Sequence, residues 1–400
     1  MKAVILAAGE GKRMRPLTYT RPKVMLPLAG KPILEHLLLE LKGAGVTQFV
    51  FVVGYRDETI RGYFEDGRRW EVKIDYATQR RQIGTGDALK AVERMTNETF
   101  LVVNGDMCVN SEDLKGLLDK GPLSLATSGT DHPERMGVVE VSGDYITGIK
   151  EKSRESRSNI ANAGMYFLDR RVFDALAKIE RSPRGEFEIT DALESLISGG
   201  HPIRFSTIST WLDLGYPWEL LAANRFFLEQ LSPQNTGTTE QGATIKGKVS
   251  IGEGTLVRAG SYIEGPVFIG KNCDIGPNCF IRPGTSISDG CHIGASVEVK
   301  NSIIMNGAKV PHHSYVGDSV IGENVNFGAG TKIANLRLDE QEISVIGIPT
   351  GLYKLGAIVG DEVKTGINAS INVGALIGDH AFIGPGAIAN GVIQPGAKIF

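Results

Sequence analysis

From Leu6 to Leu17 the chain reads Leu-Ala-Ala-Gly-Glu-Gly-Lys-Arg-Met-Arg-Pro-Leu, and Lys23 follows closely. Gly9 and Gly11 let the backbone lie against a ligand with no Cβ in the way. Clustered backbone N–H groups in such a loop suit phosphate oxygens. Lys12, Arg13, Arg15 and Lys23 add positive charge to it. The chemistry that fits is the handling of a polyphosphate. Neither the third glycine of the dinucleotide fingerprint nor the Gly-Lys-Ser/Thr of the P-loop is present.

A loop of this kind needs a strand to hold it. Residues 2–7 form a short apolar run that predicts a buried parallel strand. That places the ligand at the carboxyl edge of an open sheet. Residues 32–43 predict a helix with Ile33, Leu37, Leu38 and Leu41 on one face. Strands follow at 47–53, 72–76 and 100–106, the last ending in Asp106, with a helix at 58–64. The alternation predicts a Rossmann-like α/β sheet. A helix at 217–231 and the polar stretch after it mark a boundary, giving domains 1–232 and 233–400.

The second domain has another period. An aliphatic residue returns every sixth position at Ile245, Ile251, Val257, Ile263, Ile269, Ile275, Ile281, Ile287, Ile293, Val299 and Met305. Neither helix nor alternating strand gives that period, whereas hexapeptide repeats of a parallel β-helix do. The phase slips over 306–319, resumes at Ile321, Phe327 and Ile333, and is restored from Val359 onward. Residues 335–354 carry no repeat and read as an excursion loop, a place where function gathers. Cys273, Cys279 and Cys291 share one repeat phase, so they read as small core side chains and not as a metal cluster.

Bulk properties set limits. Four hundred residues favour two domains, and a net charge of −3 does not call for a nucleic-acid partner. Residues 3–8 are too short for a signal-peptide core, and no apolar run approaches the roughly twenty residues of a membrane span. A cytoplasmic protein with no membrane partner is expected.

The string Leu-Ala-Ala-Gly-Glu-Gly-Lys-Arg-Met-Arg-Pro-Leu-Thr, followed by Arg-Pro-Lys-Val-Met-Leu-Pro-Leu-Ala-Gly-Lys-Pro, resembles the signature of sugar-1-phosphate nucleotidylyltransferases. The resemblance implies that Arg13 and Lys23 hold the triphosphate, with Leu6, Ala8, Gly9 and Gly11 around the nucleotide. Gln79 would read the base edge, with Gly84 and Thr85 beneath it. A glutamine amide offers both a donor and an acceptor, which leaves uracil against thymine open. Asp106 and Asp213 match Mg²⁺ ligands; Asp213 is often Asn in the bacterial acetylglucosamine enzymes, which blurs the sugar. Gly137, Glu151, Lys152, Asn162 and Gly164 match sugar-phosphate contacts.

The second half resembles the acetyltransferase half of the bifunctional sugar-1-phosphate nucleotidylyltransferase/acetyltransferases, which carry a left-handed parallel β-helix of acyltransferase type. On that likeness His312 stands at the general base, and a histidine titrating near neutrality suits that task. Arg282 and Lys300 match a phosphate-binding pair, Tyr315 and Lys354 further sugar-phosphate contacts, and Asn326 and Asn335 polar contacts near the acceptor amine. Two departures stand out: Leu336 replaces a family tyrosine, and Ile367 falls where a serine meets acetyl-CoA. Acceptor preference could therefore extend to galactosamine-1-phosphate.

These likenesses imply a Mg²⁺-dependent enzyme that joins UTP or dTTP to a sugar-1-phosphate. They also imply N-acetylation of glucosamine-1-phosphate from acetyl-CoA, and a homotrimer. The rival readings are a single-activity glucose- or mannose-1-phosphate nucleotidylyltransferase with a structural β-helix, and a non-catalytic regulatory subunit. The presence of Arg13, Lys23, Asp106 and Asp213 argues against the latter.

Overall fold

The computed structural model describes residues 1–151 and 158–400. The chain gathers into two compact units. The first comprises Met1–Glu10, Arg21–Met25 and Ile33–Asp213; the second comprises Gly11–Thr20, Leu26–Pro32 and Leu214–Phe400.

The first unit is built on a nine-stranded sheet. Its parallel part runs in the order Lys73–Thr78, Gln48–Val53, Lys2–Ala7, Thr99–Asn104, with every pair in parallel register. Beyond it the antiparallel strand Ile160–Asp169 pairs with Thr99–Asn104. Alternate residues of Lys2–Ala7 feed two cores. Ala3, Ile5 and Ala7 pack with the helices Ile33–Gly43, Asp57–Phe64 and Ser111–Asp119. Val4 packs with Leu89, Val172 and Leu193 of the helices on the other face. From Lys2–Ala7 the chain first adds strands on one side, then returns to the other side at Thr99–Asn104. That reversal opens a crevice at the carboxyl ends of these two strands.

The second unit stacks short strands into three parallel sheets, as a three-faced parallel β-helix does. Val249–Ile251, Val267–Ile269 and Thr285–Ile287 lie one above another in the first sheet, eighteen residues apart. Leu256–Val257, Asp274–Ile275 and His292–Ile293 do the same in the second. Tyr262–Glu264, Phe280–Ile281 and Glu298–Lys300 follow suit in the third. The inward aliphatic column is buried, as at Ile263, Ile275 and Ile281. Each coil's backbone bonds to the next, and the interior is mainly apolar with a few buried hydroxyls such as the Thr331–Thr365 pair.

The column departs from the sequence reading at one point. Ile304, not Met305, follows Val299 inward, and Ile321 follows Val316. Both five-residue steps fall at the corner between the third sheet and the first, where Asn301 (φ 43°) and Asp318 (φ 50°) turn the chain in the left-handed region. Residues 335–354 leave from that same corner. They are not shapeless: Ile343–Val345 and Ile348–Leu352 pair as an antiparallel hairpin. The helix Glu219–Glu229 belongs to this unit. Its Asn224 is fully buried; its Oδ1 accepts from Ala29 N–H at 2.9 Å and Ser286 Oγ at 2.7 Å, and its Nδ2 donates to Gly284 O at 3.0 Å. All four cysteines are free and buried. Among the described residues no helix is long and apolar enough to cross a membrane.

Candidate functional site

The crevice is shaped by backbone. Leu6 O accepts from Gly105 N–H at 2.9 Å, and Ala8 O accepts from Tyr55 N–H at 3.0 Å. These bonds fix the ends of three adjacent strands. A Cβ at Gly9 would meet nothing within 4 Å, so the space above it is open to a ligand. Gly11, at φ 71°, starts the single turn Lys12–Met14 that carries Arg13. Gly11 O accepts from Thr18 Oγ1 at 3.0 Å, closing the loop on itself. Arg13 lies in the second unit, its guanidinium 5.4 Å from the ring of Tyr216, which stacks on Trp218 at 4.7 Å.

Lys23 and Asp106 meet in the first unit. Lys23 Nζ donates to Asp106 Oδ2 at 2.5 Å, with 9% of the lysine side chain exposed and 35% of the carboxylate side chain. Asp213 is described by its backbone alone, which pairs with Met107, one residue beyond Asp106. Asp106 therefore immediately precedes the position with which Asp213 pairs. That donor set fits a hard divalent cation such as Mg²⁺, which takes one or two carboxylates and completes its shell with phosphate and water oxygens.

Gln79 is buried at 5% exposure, and its Nε2 donates to Gly84 O at 3.0 Å and Asp87 Oδ2 at 2.9 Å. An ionised carboxylate only accepts, so Asp87 fixes the amide's orientation and takes one of its two donors. The remaining pole is the acceptor Oε1. Gly84 is at φ 113°, and a Cβ there would lie 2.2 Å from Phe187 O. Thr85 Oγ1 accepts from Ile189 N–H at 3.1 Å at the start of the helix Ile189–Ser198. Gly84 and Thr85 thus hold the 187–189 segment against the start of the helix Thr85–Lys90.

Gly137, Glu151 and Asn162 converge. Glu151 is the register partner of Gly137, and a Cβ on Gly137 would stand 2.6 Å from Glu151 Oε2 and 3.7 Å from the Asn162 Cβ. Arg184 lies 3.4 Å from Glu151 Oε1 and 2.5 Å from Glu188 Oε2. Asn162 Nδ2 donates to the Tyr166 hydroxyl at 2.9 Å, and burial pushes that hydroxyl's pKa up. Gly164, at φ 77°, gives room to Asn104. Lys152 lies outside the described residues.

On the coil the sequence-predicted residues split between corners. At the tightened corner Lys300 Nζ lies 3.2 Å from Asp318 Oδ2. Asn301 Nδ2 donates to Asp318 Oδ1 at 2.7 Å, and Asn335 Nδ2 to Asp318 Oδ2 at 2.5 Å. The Tyr315 hydroxyl accepts from Asn335 at 3.1 Å, and its pKa is raised by burial first and by Asp318 second. Gly317 is needed there, because a Cβ would stand 2.4 Å from the Tyr315 oxygen. Arg282 stands one coil away at the same corner, paired with Glu298 at 2.8 Å. Lys354 closes the excursion by pairing its backbone with Leu336.

His312 is elsewhere, exposed at the corner between the second and third sheets. It lines a depression of about 570 Å³ with His292, His313, Asp274 and Arg258. Arg258 donates to Asp274 at 2.6 Å and holds that carboxyl below its usual range. Asn326 is exposed, its backbone bridging Lys309 and Lys364 in the second sheet. The structure thus gathers Arg282, Lys300, Tyr315, Asn335 and Lys354 at one corner of the coil, and His312 and Asn326 away from it. Sequence reasoning missed Asp318, Asp87 and Arg184. Asp318 and Asp87 sit inside motifs singled out for their neighbours, whereas Arg184 is distant in sequence from Glu151.

Comparisons with known proteins bear on the family. Residues 2–230 match the family described as nucleotidyl transferase, and residues 263–372 match the GMPPB C-terminal domain. The chain is 41% identical to the bifunctional protein GlmU of Methanococcus maripaludis over 100% of this chain and 97% of that protein. It is also 41% identical to a bifunctional sugar-1-phosphate nucleotidylyltransferase/acetyltransferase of Sulfurisphaera tokodaii, over 98% of this chain and 97% of the relative. A crystal structure of a putative glucose-1-phosphate thymidylyltransferase from Bacillus anthracis in complex with a sucrose aligns with a TM-score of 0.52 and 28% identity. That alignment covers 56% of this chain and 94% of the other. With a strand–loop crevice in its first unit, stacked parallel coils in its second and relatives matched from end to end, this chain belongs to the bifunctional sugar-1-phosphate nucleotidylyltransferase/acetyltransferase family.

Proposed function

We propose that the enzyme makes UDP-N-acetylglucosamine in two steps. The first half, residues 1–232, transfers a uridylyl group (or its thymidylyl analogue) from the nucleoside triphosphate to a sugar-1-phosphate. The second half, residues 233–400 and coiled in the left-handed sense, acetylates glucosamine-1-phosphate from acetyl-CoA. The observation that carries the first assignment is the Lys23–Asp106 pair at the sheet's switch point, beside open space over Gly9.

In the first reaction a sugar-phosphate oxygen attacks the α-phosphorus in line. A new P–O bond forms, the α–β bridge breaks, and pyrophosphate leaves with the electron pair. The attacking phosphate is already anionic, so no protein base or covalent nucleophile is needed. Arg13 and Lys23 neutralise the triphosphate, and positioning does the rest. Mg²⁺ would be held by Asp106 and Asp213, supplying charge neutralisation at the phosphates. The Gln79 Oε1, whose amide nitrogen is held by Gly84 O and Asp87, accepts from the ring N–H of uracil or thymine. Glu151 and Asn162 hold the sugar, with Gly137 making room; Lys152 approaches the phosphate.

In the second reaction the amine attacks the thioester carbonyl, the thiol of coenzyme A leaves, and His312 accepts the amine's proton. Arg282, Lys300, Tyr315 and Lys354 take the phosphate, and Asn326 and Asn335 the acceptor's polar groups. His312 stands at a different corner from Lys300, which favours a homotrimer in which neighbouring copies complete each other's site. The replacement at Leu336 favours galactosamine-1-phosphate as an additional acceptor. The cytoplasm, where UTP and acetyl-CoA are made, is the compartment this reading requires.

The test is thiol release from acetyl-CoA with glucosamine-1-phosphate, measured for wild type and His312→Ala, beside Mg²⁺-dependent pyrophosphate release. His312-dependent release supports both steps. Pyrophosphate release without any thiol release, from a folded oligomer, would reduce the coil to a scaffold. Neither activity would leave a regulatory subunit.

A further inference from the structure

The loop that carries Arg13 is tied to the coil. Thr20 Oγ1 donates to Asp361 Oδ2 at 2.6 Å, and both residues belong to the second unit. Asp361 is only 7% exposed. Its other oxygen has a purely structural task, since Oδ1 accepts from Glu323 N–H at 2.7 Å across one coil. The same coil-to-coil bond recurs where Lys271 N–H donates to Asp289 Oδ1 at 2.7 Å and Asp361 N–H to Asp379 Oδ1 at 3.0 Å. The repeat therefore accounts for Oδ1 of Asp361 and not for the bond from its Oδ2 to Thr20.

Met14, Leu17 and Thr18 pack the middle of this loop, while its cationic end is open. A cavity of about 270 Å³ lies against it, lined by Arg13, Arg15, Tyr216, Ile348 and Val392 among others. Arg13 itself is exposed, resting over the Tyr216 ring. A hydrogen bond from a hydroxyl to a buried carboxylate counts for more than an average bond. Thr20 lies seven residues after Arg13 in the same loop, so fixing it fixes the end of the segment that carries Arg13.

We propose that Asp361 is a positioning residue for nucleotidyl transfer: through Thr20 it holds the Arg13-bearing loop in the geometry that meets the triphosphate. This rests on the assignment of Arg13 and Lys23 to the triphosphate. A coil residue thereby sets the rate of the reaction assigned to the other half of the sequence.

The experiment uses the full-length protein with Thr20→Val, Thr20→Ser and Asp361→Asn. Thr20→Val keeps the volume and loses the donor, Thr20→Ser keeps the donor, and neither touches the coil's own bonds should Asp361→Asn fail to fold. Amide hydrogen exchange is read across residues 11–20, together with kcat and KM for pyrophosphate release and the rate of acetyl transfer. The expected result is about tenfold faster exchange confined to 11–20 in Thr20→Val. With it should come a fall of about tenfold in kcat for nucleotidyl transfer, an unchanged sugar-phosphate KM, unchanged acetyl transfer and recovery in Thr20→Ser. Unchanged exchange in Thr20→Val overturns the anchor, and faster exchange with unchanged kcat overturns its role in the reaction. If the wild type releases no pyrophosphate, the assignment of Arg13 and Lys23 fails, and the positioning role fails with it; exchange still decides separately whether the anchor exists.

Discussion

Gly137 and Gly164 act by what they leave out. A methyl group on Gly137 would meet the far end of the Glu151 side chain, 2.6 Å away, with no penalty from φ. Gly137→Ala should therefore push the carboxylate aside and raise the sugar-phosphate KM about tenfold, worth about 1.4 kcal/mol, while leaving the urea midpoint unmoved. Gly164 is another matter. At φ 77°, with Asn104 Nδ2 2.3 Å from any added Cβ, Gly164→Ala is strained twice over. A loss of about 1–3 kcal/mol is expected, read as a lower urea midpoint. Asp274 offers a pH test. Hydrogen bonding by Arg258 depresses its pKa, so the stability it contributes is present above the unfolded value and lost as pH falls through the lower folded one. Arg258→Gln should move the carboxyl's NMR titration upward, with little change in stability because the pair is exposed.

The regular elements were legible in the sequence because each repeats a period. The helix foreseen at 32–43 is Ile33–Gly43, and the strand at 47–53 is Gln48–Val53. The column of aliphatics named the coil outright. What escaped was the place where the period shortens: Val299 to Ile304 takes five residues, and counting by six lands on Met305 instead. Side-chain demands at the corner set that step, with Asn301 and Asp318 bonded to each other in left-handed turns. The candidate site residues were named through motif, but the partners that the structure gives them were not legible. Nothing in the spacing of Lys300 announced a buried Asp318 beneath it. Inserting one glycine after Asn301 would restore the six-residue step. It should leave the coil's circular dichroism and melting intact and abolish acetyl transfer, since Lys300 would part from Asp318. Ile281→Ala, by contrast, empties a fully buried place in the column and should cost about 2–5 kcal/mol, read by denaturant unfolding.

For the molecule as a whole, the proposed roles of His312 and Lys300, which stand at different corners, would make assembly part of the chemistry. Light scattering should give three times the 43.1 kDa of one chain. Mixing His312→Ala with Lys300→Ala protein, after subunit exchange, should restore part of the acetyl-transfer rate that each lacks alone. A monomer with full thiol release would refute shared sites. The coil has a mechanical side as well. The backbone bonds of each turn run to the turns above and below, so resistance to stretching is local and not pooled across the core. Pulled along its axis, such a stack should peel turn by turn in a sawtooth. Each tooth should release about eighteen residues, about 60 Å of chain. The tooth holding Asp361 would carry an added load, because that turn also tethers a loop from elsewhere in the sequence, at Thr20.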